Sequence, residues 1–193
     1  MDNLAYADDY AAKLRTELID GKIVMMSPRP KIEHARVVGR IFREFSIYLK
    51  GKKCEAFCDG VDVFLDDKNR FIPDVMIVCN ADIIKDDGIH GAPDLVVEVL
   101  SPSTAKNDKG KKFVAYEQAG VKEYWIVSPL SRMVEVYLQR NGKFELDDVY
   151  TYFDDEAKAR NATYPEDNRD IIQDDIKVSL YDDLVVKLKD IFE

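Results

Sequence analysis

The chain has 193 residues, 46% hydrophobic and 34% charged, with a formal net charge of −9. That size and balance predict a single domain over 1–193 with a real core, and no apolar run approaches a membrane span. The first residues lack the basic start and apolar centre of an export signal, so the expected location is cytoplasmic, without membrane contact.

The acidic excess weighs against broad affinity for nucleic acid, because attraction to phosphate over distance needs positive potential. It leaves room for a local basic patch, or for a metal that bridges to phosphate. Three cysteines (Cys54, Cys58, Cys79) and two histidines cannot easily build a structural zinc site. Any metal is therefore expected to be a hard ion held by oxygens. The cysteines read as core or edge packing.

Ala7 to Arg15 reads as a short helix. Thr16 to Ile19 and Lys22 to Met26 flank Asp20-Gly21, which predicts a β-hairpin ended by Ser27-Pro28-Arg29-Pro30. Glu17, just before the turn, reads from its position as a hairpin edge charge. From Glu33 to Lys50, Val37, Val38, Ile41, Phe42, Phe45 and Leu49 recur at helical steps, with arginines elsewhere and Gly51 following as a C-cap. His34 falls in the first turn of that helix, where a surface or capping role is the ordinary one.

Val61 to Leu65 alternates like a half-buried strand, and Phe71 to Cys79 returns after a turn with both faces apolar. Asp74 sits inside that second run, on the face of Ile72, Met76 and Val78. Leu95 to Leu100 is apolar except for Glu98, and Ser101-Pro102 closes it. An ionised Glu there needs a cation or strong donors beside it, unless the strand's end is open to water.

A basic helix over Asn107 to Ala119 carries Asp108, Lys112 and Tyr116 at steps of four, on one face, and Gly120 stops it. Val121 to Val127 is a further strand, and Met133 to Tyr150 a second hairpin about Asn141-Gly142. Residues 150–172 read as a loop or extension. Ile176 to Phe192 ends in a helix-like pattern of Leu180, Leu184, Leu188 and Ile191.

Two successive strands thus each carry one interior carboxylate, and a basic helix follows. If those strands pair so that Asp74 meets Glu98, two oxygen ligands converge. Mg²⁺ needs only one or two protein carboxylates, with water and substrate phosphate completing its shell. A lysine beside such an ion can orient a water and offset developing negative charge. The combination suits hydrolysis of a phosphodiester.

Pro73-Asp74, the run Pro93 to Thr104 (Pro-Asp-Leu-Val-Val-Glu-Val-Leu-Ser-Pro-Ser-Thr), Asp108 with Lys112 and Tyr116, and Gly120 to Val127 together resemble the Uma-two family of endonucleases. That family belongs to the PD-(D/E)XK superfamily. The likeness extends to Glu17 through Gly21, to His34 and to the closing Ile-Phe, and is weakest over 150–172.

The resemblance implies an α/β (α+β) fold: a restriction-endonuclease-like mixed central β-sheet flanked by helices, with β-hairpin additions. It implies a Mg²⁺- or Mn²⁺-dependent endonuclease acting on DNA, with Asp74 and Glu98 as metal ligands and Lys112 as the third catalytic residue. Leu100 stands where the superfamily places its lysine, and Lys112 of the next helix is the matching substitute. Glu17 resembles an acid that some members add to the metal site, and His34 is a further candidate. Asp94 is either another ligand or a turn residue after Pro93, with the turn favoured; Tyr116 packs or orients Lys112. A homodimer through the Met133–Tyr150 hairpin is expected. The alternative, favoured by Leu100 and by the acidic charge, is a noncatalytic interaction module on the same fold.

Overall fold

The computed structural model describes residues 15–26 and 30–193. The expected helix from Ala7 lies outside those residues except for Arg15, as do three of the four residues that end the first hairpin.

Strands β1 (Thr16–Ile19) and β2 (Lys22–Met25) form the first hairpin, with Glu17 opposite Val24. Asp20 and Gly21 both take positive φ, 54° and 72°, the conformation that lets a two-residue turn match the twist of its strands. Helix α1 (Ile32–Leu49) follows and buries Val37, Val38, Ile41, Phe45 and Leu49. Next come β3 (Glu55–Cys58), β4 (Val63–Asp66), β5 (Asn69–Phe71), β6 (Val75–Val78), β7 (Ile84–Lys85), β8 (Gly88–His90) and β9 (Leu95–Val99). Helices α2 (Ala105–Asp108) and α3 (Lys111–Ala119) lead to β10 (Glu123–Ser128) and the hairpin β11 (Met133–Arg140) and β12 (Lys143–Thr151).

The main sheet runs β12-β11-β10-β9-β6-β3 and is mixed: β9 and β10 are parallel, and the other neighbours antiparallel. A second sheet runs β2-β1-β5-β4-β8-β7. Every residue of β6 and β9 is buried, so these two central strands are covered on both faces. Alternation divides them. Val75, Ile77, Leu95, Val97 and Val99 join the cluster under α1, where Phe45 meets Trp125 edge-on. Met76, Val78 and Val96 join the other cluster, with Tyr116 of α3 and with Ile19, Val63, Phe71 and Ile89 of the second sheet.

Several features differ from the sequence reading. The run Phe71–Cys79, expected as one strand, divides between β5, which ends at Phe71 in the second sheet, and β6 in the main sheet. The helix expected over Asn107–Ala119 is two pieces, α2 and α3. A Cβ at Gly110 would lie 2.7 Å from the Lys106 carbonyl oxygen, so the break uses glycine's missing side chain. Within 150–172 lies helix α4 (Asp155–Ala162), whose N-cap Asp154 accepts the Ala157 N–H. The C-terminal pattern is not one helix but strands β13 (Asp175–Lys177) and β14 (Val185–Lys187), then α5 (Leu188–Phe192). Ile176 and Val178 are buried at a step of two, as are Leu184, Val186 and Leu188, so a ribbon explains the apolar positions better than a helix.

A further difference is covalent. Cys54 and Cys79 form a disulfide instead of packing as free thiols. Continuing the β3–β6 register, in which Glu55 pairs with Val78, sets these two cysteines opposite each other. Cys58 is free and half-buried.

At the outer edge of the main sheet, β12 presents Glu145, Asp147 and Asp148, and its register slips beside Val136 and Tyr137. Charge and a bulge are the devices that keep an edge strand from pairing with another copy. Among the described residues no helix is long and apolar enough to cross a membrane.

Candidate active site

β6 and β9 pair antiparallel, with Val75 opposite Val97, Met76 opposite Val96 and Ile77 opposite Leu95. One further step of that register sets Asp74 opposite Glu98. Asp74 Oδ2 accepts the Val99 N–H at 2.7 Å, which ties its carboxylate to the end of β9. The backbone carbonyl of Asp74 accepts the Asp59 N–H.

Glu98 faces away from α1, toward α3. Its Oε1 lies 2.6 Å from Lys112 Nζ and accepts the Tyr116 hydroxyl at 3.0 Å. Lys112 and Glu98 are each 3% exposed. The ammonium also donates to Glu17 Oε1 at 2.9 Å and lies 3.5 Å from Asp108 Oδ1. Glu17, 6% exposed, accepts the Ile72 N–H through the same Oε1 at 3.0 Å. Four elements thus meet at one amine: β1, β9, α2 and α3.

His34 reaches the group from the first turn of α1, with Nε2 3.4 Å from Asp74 Oδ2. Its Nδ1 is buried without a hydrogen-bond partner, as is Asp108 Oδ1. Asp94 is elsewhere. At the start of β9 its carboxylate accepts the Cys79 N–H and the Lys122 ammonium, both at 2.7 Å, and its carbonyl accepts the N–H groups of Lys122 and Glu123. These contacts tie Asp94 to the segments flanking β9 and not to the Lys112 group. Leu100 packs in the apolar cluster beside α3.

Sequence reasoning did not list Asp108 among the site residues, although its spacing of four from Lys112 was visible. The other basic residues of this stretch point outward: Lys109 pairs with Glu135, and Lys111 with Asp20.

Burial works against the charge on Lys112, but the carboxylates of Glu98, Glu17 and Asp108 outweigh it and raise its pKa. At neutral pH the group is an ammonium. Burial pushes Glu98 well above the usual carboxylate range; Lys112 opposes this, and the nearby Asp108, Asp74 and Glu17 add to it. Asp108 is raised by burial against the pull of Lys112. For His34, burial lowers the pKa, but hydrogen bonding and charge from Asp74 prevail and raise it.

The described hydrogen bonds use Asp74 Oδ2 and Glu98 Oε1, leaving the second oxygen of each acid without one. Two such oxygens are the donor type a hard divalent cation takes. Among the described residues no group of three or more His, Cys, Asp or Glu side chains is arranged to hold a metal. A cation here would draw on two carboxylates, with water and substrate supplying the rest.

Two proteins of Synechocystis sp. (strain ATCC 27184 / PCC 6803 / Kazusa) are similar in sequence. "Uncharacterized protein slr1290" is 32% identical over 123 residues, 63% of this chain and 64% of the relative. "Uncharacterized protein sll1609" is 26% identical over 127 residues, 64% of this chain and 71% of the relative. The match thus spans about two thirds of the relatives' own length. A crystal structure of "a putative nuclease belonging to DUF820" from Anabaena variabilis ATCC 29413 has a TM-score of 0.66 over 96% of each chain, at 20% identity. The fold is restriction-endonuclease-like, as the motif run implied. The model of the Uma2 family, described as "Putative restriction endonuclease", matches residues 4–163, more than three quarters of the chain. On that match, the chain belongs to the Uma2 family.

Proposed function

We propose that the protein is a metal-dependent endonuclease that hydrolyses phosphodiester bonds in DNA, with Asp74, Glu98 and Lys112 as its catalytic residues. The observation that carries this reading is the β6–β9 register, whose next step sets Asp74 opposite Glu98, with the Lys112 ammonium 2.6 Å from Glu98. Asp74 and Glu98 would hold Mg²⁺ or Mn²⁺ through the oxygens their other contacts leave free. When bound, that ion supplies polarisation of the phosphate and acidifies water.

The chain's own groups do the rest. Lys112 is held as a cation, so it donates hydrogen bonds; it positions the attacking water and offsets charge that grows on the phosphoryl oxygens. Tyr116 donates to Glu98 Oε1 and keeps that carboxylate from turning. His34 and the Val99 N–H fix Oδ2 of Asp74.

The test incubates purified protein with varied DNA and Mg²⁺ or Mn²⁺ beside a Glu98→Ala control. Cleavage by the wild type alone supports the proposal. Equal cleavage by both proteins identifies a contaminant and removes it.

A second reading, a noncatalytic interaction module, is favoured by how closed the centre is: Glu98 is 3% exposed and already paired with Lys112. Metal titration separates the two. Under the second reading Mn²⁺ gives no thermal stabilisation, and Asp74→Ala melts like the wild type.

A further inference from the structure

We infer that Glu17 and Asp108 are positioning residues that hold the Lys112 ammonium in a cage with Glu98, so that the first hairpin is an arm of the active site. The kinetic part of this inference rests on the nuclease reading above; the cage itself stands on geometry.

A lysine has a flexible four-carbon stem and three rotatable donors, so a single carboxylate does not fix where its charge points. Here the ammonium is met from three elements: Glu17 on β1 at 2.9 Å, Glu98 on β9 at 2.6 Å and Asp108 on α2 at 3.5 Å. The Phe71 ring lies beneath it, 5.5 Å from ring centroid to Nζ. Asp108 Oδ1 is buried without a hydrogen bond, which leaves the ammonium as the group that compensates it.

Stability alone is a poor reason for this cluster. Apolar residues of similar volume in place of a buried ion group are often neutral or stabilising. The charges cost desolvation, and what they secure is the direction of one amine.

Glu17 has a second task that an edge charge would not have. The oxygen that receives Lys112 also accepts the N–H of Ile72, two residues before Asp74. One carboxylate therefore sets the distance between the lysine and the segment that carries Asp74. This assigns Glu17 to Lys112 rather than to a metal ion.

The experiment compares wild type, Glu17→Gln and Asp108→Asn. The Gln variant keeps an acceptor for Ile72 and is expected to fold; Asp108→Asn reports independently if it does not. Each protein is titrated with Mn²⁺, assayed on DNA for kcat and KM, and labelled with ε-¹⁵N-lysine to follow the Lys112 ammonium by NMR. The expected result is an unchanged Mn²⁺ affinity and KM, with kcat lowered on the order of 10-fold. The Lys112 ammonium signal, sharp in the wild type, broadens by faster exchange in both variants. Weaker Mn²⁺ binding with an intact ammonium signal would make Glu17 a metal ligand and overturn the inference. Unchanged kcat and unchanged signal would return both acids to a structural role. If the wild type cuts no DNA, the nuclease reading fails, while the ammonium signal still decides whether the cage exists.

Discussion

His34 Nε2 lies 3.4 Å from Asp74 Oδ2, the same oxygen that accepts the Val99 N–H. The first turn of α1 is thereby fastened to the point where β6 and β9 bring their acids together. Fixing the carboxylate from two directions leaves its other oxygen as the one free to bind.

That contact has a measurable charge state. Burial lowers the His34 pKa and Asp74 raises it, with Asp74 prevailing, so NMR titration of the wild type should give a value above the ordinary 6.5. In Asp74→Asn both raising influences of the Asp74 carboxylate are lost, burial is opposed only by Val99 and Asp59, and the value should fall below that of the wild type. Since the folded value is raised, this histidine's stabilisation is full below the unfolded pKa and fades as pH rises through the folded one. The melting difference between wild type and His34→Gln should shrink on that rise. A wild-type value under 6.5 refutes the contact.

Removing the amine should expose how much the cage depends on it. Lys112→Met leaves Glu17, Glu98 and Asp108 buried without their cation, a loss of about 3–5 kcal/mol. Protonation relieves the repulsion, so the carboxyls of Glu98 and Asp108, already raised by burial, rise further in the variant. Its folded state binds more protons than the unfolded one, and stability must fall as pH rises. Urea melts should show a smaller deficit at pH 5 than at pH 8. Equal deficits at both values would mean the charges are not the cause.

Metal should act on stability as well as on rate. A ligand that binds only the folded state adds about 2.7 kcal/mol at 100 times its Kd. Mn²⁺ should therefore raise the melting temperature of the wild type, and a chelator should reverse it and stop DNA cleavage. Asp74→Asn should lose the shift. A shift of the same size in that variant places the ion somewhere else.

The disulfide can be tested without reference to activity. Cys54 and Cys79 are 25 residues apart, and closing a loop of that order contributes about 3 kcal/mol by restricting the unfolded chain. Reduction, or the pair Cys54→Ser and Cys79→Ser, should lower the melting temperature by several degrees. Identical melting with and without reductant would show that the bond is not formed in solution.

Much of the scaffold was legible because its signals are local. Asp20-Gly21 and Asn141-Gly142 require positive φ, and both hairpins stand where those pairs fall. The three- and four-residue steps from Val37 to Leu49 mark the buried stripe of α1. The C-terminal segment misled in part: Leu184, Leu188 and Ile191 fit helical steps, but only Leu188 and Ile191 stand in a helix, the short α5, while Leu184 precedes a strand of the β13–β14 ribbon packed in the core under α1. The cysteine pair was missed for a related reason: spacing in a chain does not reveal which residues of two strands will face each other.

By itself the sequence determined which residues carry charge into apolar strands, Asp74 and Glu98 above all, and which helix follows with a lysine. Alternation along a strand and periodicity along a helix are properties of the covalent chain, so they can be read from it. Only the tertiary structure decided that Glu17 and Asp108 close around Lys112, that His34 touches Asp74, and that Asp94 braces the far end of β9. Those choices depend on pairing register and on how a helix lies across a sheet. Both are set by the packing of many side chains at once, and no short stretch of sequence contains that information.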